Sequence, residues 1–367
     1  MTKREKKYHF DKPLFITSAI ILIFGLIMLY SASVAVGIDR FEDSTYFIKR
    51  QIIALVIGLV AAYIVYKIDY HFWEQWSLIF LFTSIVLLIC VLIPGFGVSD
   101  QGAQRWLDFG FMGFQPSELV KLTLILYMGA WMSERGPHVI GSFKGGFVPF
   151  ASVLAVLAFL IIQQPDLGTF IIIAVIAIVM YFLGGGSIKH IFTLMILGTA
   201  GVVAAIKAAP YRMDRLMTFF NPSLDPQGAG YHINQAILAV GSGGLFGLGF
   251  GLSLQKYLYL PEVVGDSLFA VIAEELGFIF SVFLVLLFLY FFWRSIKISR
   301  KAPDNFGKLA AIGIGAWICL QAFVNIGAML GILPLTGLTL PLMSYGGSSL
   351  IVTMASIGIL LNISKRV

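Results

Sequence analysis

A single carboxylate stands where a long polar stretch meets a long apolar one. Asp266 follows Tyr257-Leu258-Tyr259-Leu260-Pro261-Glu262 and precedes the run 267–277 (SLFAVIAEELG), which holds two further acids, Glu274 and Glu275. Acids at the edge or inside of a membrane span are costly and mark function by default. A partly buried carboxylate beside apolar surface acts as a general base, and an Asp at a helix start acts as an N-cap. Asp266 fits both roles, and the two are compatible. Glu274 and Glu275 are neighbours on a helix and point about 100° apart, so they should not share one partner. At least one should face the interior, as a structural or a functional acid.

Other charged groups recur at the ends of apolar runs. In Gln115-Pro116-Ser117-Glu118-Leu119-Val120-Lys121, Pro116 suits a first helical turn. Glu118 and Lys121 are three apart and share a face, either as an ion pair or as a pocket for an anionic ligand. Arg105 and Trp106 lie just before, in Gln101-Gly102-Ala103-Gln104-Arg105-Trp106-Leu107. A guanidinium matches phosphate, and an indole suits a sugar face or the membrane interface. Asp166, in Gln163-Gln164-Pro165-Asp166-Leu167-Gly168-Thr169, joins two runs and suits a helix start. Arg212 and Arg215 open a long loop and could bind diphosphate or anionic lipid. Glu262, Tyr345 and Ser348 are further candidates; the last two sit in a segment of Pro, Gly and small residues that suits close helix packing.

These groups are positioned by a chain built for lipid. Of the 367 residues, 59% are hydrophobic and only 12% charged, and the mean hydropathy is +0.91. A soluble chain carries about a quarter charged residues. Ten apolar runs are expected to span, at 14–34, 49–66, 76–94, 116–133, 147–163, 168–183, 190–206, 266–293, 309–332 and 345–363. Each is long enough for a hydrocarbon core about 30 Å thick. The runs do not alternate, so the expected fold class is all-α, a polytopic membrane protein and not a β-barrel. Ten spans put both termini on one side. Most Lys and Arg then fall in the segments on that side, which makes it the cytoplasm. The long loop 207–265 then lies outside. Its Asn221-Pro222, Asp225-Pro226 and glycine run signal turns, with a short helix expected over 231–240. Nothing divides 1–367 into separate domains.

Several classes of function are disfavoured. The basic start resembles a signal peptide, yet no small-residue cleavage site follows, so it reads as a retained first span. Cys90 and Cys319 lie in apolar runs and read as packing residues. His9, His71, His138, His190 and His232 are scattered rather than clustered for a metal. No phosphate-binding glycine loop, serine-hydrolase elbow or nucleic-acid motif is present. The net charge of +6 suits an anionic membrane surface.

Taken together, the motifs resemble the SEDS family (shape, elongation, division and sporulation), the RodA/FtsW/SpoVE group. The likeness rests on GAQRWLDFG from Gly102, FQPSELVKL from Phe114, QPDLGT from Gln164 and DPQGAGYHINQA from Asp225. It continues in LPE…D…AVIAEELG from Leu260 and NIGAMLGILPLTGLTLPLMSYGGSS from Asn325. The wording QKYLYLPE, 255–262, leans toward the FtsW division branch. One departure stands out: the family usually has His-Thr before its key aspartate and Phe after it, whereas Val264-Gly265 and Ser267 flank Asp266 here. The spacing from Leu260-Pro261-Glu262 is kept, so Asp266 aligns with the catalytic aspartate.

The resemblance implies a peptidoglycan glycosyltransferase of the bacterial cytoplasmic membrane, with its active site facing outward. Its substrates would be lipid II and the growing glycan strand. Asp266 would deprotonate the attacking sugar hydroxyl, undecaprenyl diphosphate would leave, and the anomeric configuration would invert. Arg105, Lys121, Arg212 and Arg215, or a divalent cation (Mg or Mn), would offset charge on the diphosphate, with Glu118 or Asp166 as orienting or cation-binding acids. No organic cofactor is implied. Partners would be a class B penicillin-binding protein, which is a transpeptidase, and other divisome or elongasome membrane proteins. Two competing functions remain open on the residues: a lipid II flippase, which needs a polar path through the bilayer, and a non-catalytic division scaffold, which has no need of Asp266.

Overall fold

In lipid no water satisfies the backbone, so apolar runs of this length close their hydrogen bonds within helices. The computed structural model describes residues 10–100, 103–108, 110, 113–207, 213, 217–221, 225 and 227–367. Its helices are α1 Lys12–Phe41, α2 Tyr46–Lys67, α3 Tyr70–Gln75, α4 Ser77–Leu92, α5 Pro116–Glu134, α6 Pro137–Ile140 and α7 Val148–Gln163. They continue with α8 Leu167–Leu183, α9 Ile188–Lys207, α10 Ala229–Ser242, α11 Leu268–Lys301, α12 Asn305–Met329 and α13 Gly347–Ser364. A π-helical turn, Phe143–Phe147, leads into α7.

All ten expected runs fall on helices, but they are not equal spans. Among the described residues, six helical segments are long and apolar enough to cross a membrane: α1, α2, the π-turn with α7, α11, α12 and α13. The helices at Ser77–Leu92, Leu167–Leu183 and Ile188–Gly201 are apolar but shorter, and α5 carries buried charges. The short helix expected over 231–240 is α10, longer at both ends.

The centre of the bundle is α12 with α13. In their apolar windows 72% and 83% of residues are buried, against 22% for α2. Small residues let α13 approach α2 closely: a Cβ on Gly358 would lie 2.6 Å from the Ala62 carbonyl oxygen. Asn362 on α13 donates at 2.7 Å to the Tyr66 carbonyl and accepts at 3.0 Å from the Tyr70 N–H, closing the end of α2.

Two features were not expected. The loop before α5 is a three-stranded antiparallel ribbon, β1 Gly97–Asp100, β2 Ala103–Asp108 and β3 Gly113–Phe114, with Val98 opposite Trp106 and a register shift between Val98 and Ser99. And α11 starts at Leu268 and is broken at Gly277, which sits at φ 77°, ψ −173°.

The break explains the glycine run. Backbone groups freed at the kink need partners, and the 243–251 loop supplies them. Leu248 and Gly249 N–H groups donate to the Glu274 and Glu275 carbonyls, both at 3.0 Å, and Phe278 N–H donates to Gly244 at 2.9 Å. Such backbone-to-backbone approach leaves no room for Cβ: one on Gly247 would lie 2.1 Å from the Glu275 carbonyl oxygen.

The side chains of Glu274 and Glu275 complete the joint from two directions. Glu275 accepts from Lys256 at 2.7 Å, Ser31 at 2.8 Å and Gly251 N–H at 3.0 Å. Glu274 accepts from the Ser253 hydroxyl and from Leu254 N–H at 3.0 Å. Their directions differ as expected, but a single loop wraps far enough round the helix to meet both.

Candidate active site

Asp266 sits half-buried in the tight turn that leads into α11. Gly265 and Ser267 N–H groups donate to the Glu262 carbonyl at 2.9 and 3.2 Å, with Glu262 at φ 49°. The N-cap position of α11 is Ser267, one residue beyond Asp266. Three elements hold the turn from outside. Asn325 on α12 donates its amide to the Asp266 carbonyl at 2.7 Å and to the Leu338 carbonyl at 2.7 Å. Tyr345 N–H donates to the Val264 carbonyl at 2.8 Å. The Ser267 hydroxyl donates to the Pro261 carbonyl at 2.7 Å and lies 2.6 Å from His232 Nε2 on α10.

Glu118 and Lys121 form the buried pair that their spacing allows, at 2.8 Å. Lys121 also donates to Gln321 Oε1 at 2.7 Å and stands 5.1 Å from the Trp317 ring. Gln321 accepts in addition from Trp317 Nε1 at 2.8 Å and donates to the Thr339 carbonyl at 2.9 Å. Trp317, Gln321 and Asn325 are four apart, one stripe on α12. That stripe, with the neighbouring carbonyls of Leu338 and Thr339, joins the Lys121–Glu118 pair to the Asp266 turn. Glu118 Oε2 and Ser117 Oγ are buried with no hydrogen-bond partner, so this corner keeps acceptor capacity for a further donor.

A second group lies across the 333–346 segment. Asp166 caps α8, accepting from Thr169 N–H at 3.1 Å, and lies 3.4 Å from Gln115 Nε2. Gln115 N–H donates to Ser348 Oγ at 2.9 Å, and Ser348 donates to the Gly113 carbonyl at 3.3 Å. Arg105 donates to the carbonyls of Gln164 at 2.9 Å and Pro165, which fastens the ribbon to the α7–α8 corner. Trp106 lies over Gly113 in the ribbon. The Tyr345 ring meets Phe47 edge to face at 5.0 Å.

Of the residues singled out in the sequence, Asp266, Glu262, Glu118, Lys121 and Tyr345 thus gather around α12 and the 333–346 segment. Asp166, Ser348, Arg105 and Trp106 form the adjoining ribbon corner. Arg212 and Arg215 lie outside the described residues. Gln321 and Trp317 were not singled out, while Ser267 was noted only as a neighbour of Asp266 and His232 only as one of five scattered histidines. The usable signal was the four-residue spacing of Trp317, Gln321 and Asn325 within an apolar run, where polar side chains are costly. Among the described residues, no three His, Cys, Asp or Glu side chains come together as ligands for a cation.

Known proteins place this architecture. Stage V sporulation protein E of Bacillus subtilis (strain 168) is 42% identical over 360 residues, covering 98% of each chain. A probable peptidoglycan glycosyltransferase FtsW of Geobacter sp. (strain M18) is 38% identical, covering 97% of each. A solved structure describing the coordination of polymerization and crosslinking by a peptidoglycan synthase complex holds a chain with TM-score 0.81 and 27% identity, covering 97% of each. Residues 12–367 match the FtsW/RodA/SpoVE family model, described as cell cycle protein. With this match over nearly its whole length, the chain belongs to the FtsW/RodA/SpoVE family.

Proposed function

We propose that this protein is a peptidoglycan glycosyltransferase that polymerises lipid II, with Asp266 as the general base. The observation that carries the reading is the Asp266 turn: a half-buried carboxylate held from outside by α12, α10 and the 333–346 segment, in a family whose members include proteins named for this activity. Fixed placement of a base beside its substrate removes much of the entropic cost of a bimolecular step. Asp266 takes the proton from the sugar hydroxyl of one lipid II, whose oxygen forms the new bond to the anomeric carbon of the growing chain. The bond to undecaprenyl diphosphate breaks, and the anomeric configuration inverts.

Charge on the leaving diphosphate falls to Arg212 and Arg215 and to the remaining donors of Arg105. Lys121 contributes from within its pair with Glu118. No protein ligand set for a metal is drawn from the described residues. A divalent cation, Mg or Mn, would be held between the diphosphate and a carboxylate such as Glu118 or Asp166 and would help neutralise it. We place the protein in the bacterial cytoplasmic membrane with the Asp266 turn facing outward, on the excess of Lys and Arg expected inside. We further propose a class B penicillin-binding protein as partner, with lipid II and the glycan strand as substrates.

The test is polymerisation of labelled lipid II by the full-length protein with its transpeptidase partner, native against Asp266→Asn. Native polymer and none from a folded, partner-binding variant is the expected result. Equal polymer from both would remove Asp266 from the chemistry. Transbilayer movement of labelled lipid II without any glycan would overturn the polymerase reading.

A further inference from the structure

We infer that His232 is a positioning residue for Asp266, acting through the hydroxyl of Ser267. The inference deepens the reading above, since it rests on Asp266 being the base. His232 lies in the first turn of α10, 35 residues before Ser267, and its Nε2 stands 2.6 Å from Ser267 Oγ. Ser267 is fully buried, while His232 and Asp266 are half-buried.

A serine hydroxyl has one proton and two acceptor sites. At 2.7 Å the Pro261 carbonyl takes that proton and closes the 261–267 turn on itself. Toward His232 the hydroxyl therefore accepts, which puts the imidazole proton on Nε2. The carboxylate Oδ1 of Asp266 lies 3.5 Å from the same hydroxyl, so Ser267 can turn to it only by releasing Pro261. A donor from His232 holds the rotor in the Pro261 position. The turn then stays closed, and Asp266 is spared one donor that would favour its ionised form and weaken it as a base.

The immediate neighbours on the other side of Asp266 do not do this work. Val264 is buried and apolar, and Gly265 has no side chain. The chain thus brings its imidazole to the turn from a separate helix. Any displacement of α10 is then transmitted to the turn that carries the base.

The experiment compares native protein with His232→Ala, His232→Gln, Ser267→Ala and the double alanine variant, full-length in lipid nanodiscs with the transpeptidase partner. Two readouts are taken: kcat and KM for labelled lipid II, and hydrogen–deuterium exchange of peptides covering 261–268. His232→Ala is expected to lower kcat roughly tenfold while KM stays within about twofold, the scale of a modest misplacement of a catalytic group. Exchange across 261–268 should rise. His232→Gln, whose amide N–H can reach the same oxygen, should recover most of both. The double variant should be no worse than Ser267→Ala alone, because the two residues act in series.

A change in KM alone, multiplicative losses in the double variant, or unchanged exchange in His232→Ala would overturn the inference. If native protein makes no polymer, the polymerase reading fails. The exchange data then still decide whether His232 holds the turn.

Discussion

Asn325 donates its side-chain amide to the backbone carbonyl of Asp266 at 2.7 Å. The proposed base is therefore held by a residue 59 positions away, on the most central pair of helices, and its placement depends on α12 as well as on its own turn. Asn325→Ala leaves the carbonyls of Asp266 and Leu338 without this donor. Stability should fall by about 1–3 kcal/mol, the cost of buried unsatisfied groups. Glycan synthesis should fall further, about ten- to a hundredfold, because the turn is released. Thermal unfolding and lipid II polymerisation on the same preparation separate the two effects.

The Lys121–Glu118 pair is almost fully buried and makes an uneven demand on its partners. Lys121→Met strands a buried carboxylate that already has one unpartnered oxygen. It should destabilise by about 3–5 kcal/mol. Glu118→Gln combined with Lys121→Met should recover most of that loss, since no charge is left unpaired. Unfolding midpoints of native protein and the two variants in nanodiscs check the ordering. A double variant no more stable than Lys121→Met would contradict it.

Gly277 should tolerate no side chain. Its backbone at φ 77°, ψ −173° lies in a region all but closed to L residues and costs one about 1–3 kcal/mol, and a Cβ there would lie 2.3 Å from Gly247 N. Gly277→Ala should accumulate poorly in the membrane and melt well below native protein. A control substitution at Gly198, where a Cβ meets nothing within 4 Å, should change little.

Acid sensitivity has a local source at the α1–α2 connection. Lys49 donates to Asp43 at 2.8 Å, and the Thr45 hydroxyl and N–H donate at 2.7 and 2.9 Å. These bonds hold the Asp43 carboxyl down from its ordinary 3.8 to about 2. A group whose folded value is depressed stabilises above its unfolded value and loses that contribution as pH falls through the folded one. The contribution of Asp43 is thus complete above about pH 4 and gone below about pH 2. Melting curves of native and Asp43→Asn protein should differ slightly at neutral pH, because the pair is exposed, and converge toward pH 2.

Much of this was legible in the sequence, where the information is local. Apolar runs gave the helices, Pro116 the start of α5, three-residue spacing the Glu118–Lys121 pair, and an Asp before an apolar run the cap at Asp166. What escaped is what depends on contacts far apart in the chain. Arg105 has a type suited to phosphate, yet donates to two backbone carbonyls about 60 residues on. Gln321 bonds Lys121 across 200 positions, and His232 reaches Ser267 from another helix. The ribbon of β1 to β3 has strands too short and irregular for a period of two to register. The glycine run read as a loop signal, and its partner, a break inside an apolar helix, leaves no mark except Gly277 itself.

The interlock of the 243–251 segment with that break has a consequence for how the chain can vary. Gly243 and Gly247 touch helix backbone, while Leu245, Phe246, Leu248, Phe250 and the adjoining Leu252 are exposed. The segment therefore has an inner margin that admits only hydrogen and an outer margin that asks only for greasiness. Saturation mutagenesis across it should read as a comb: intolerant teeth at Gly243 and Gly247, and between and beyond them positions where one apolar residue substitutes freely for another.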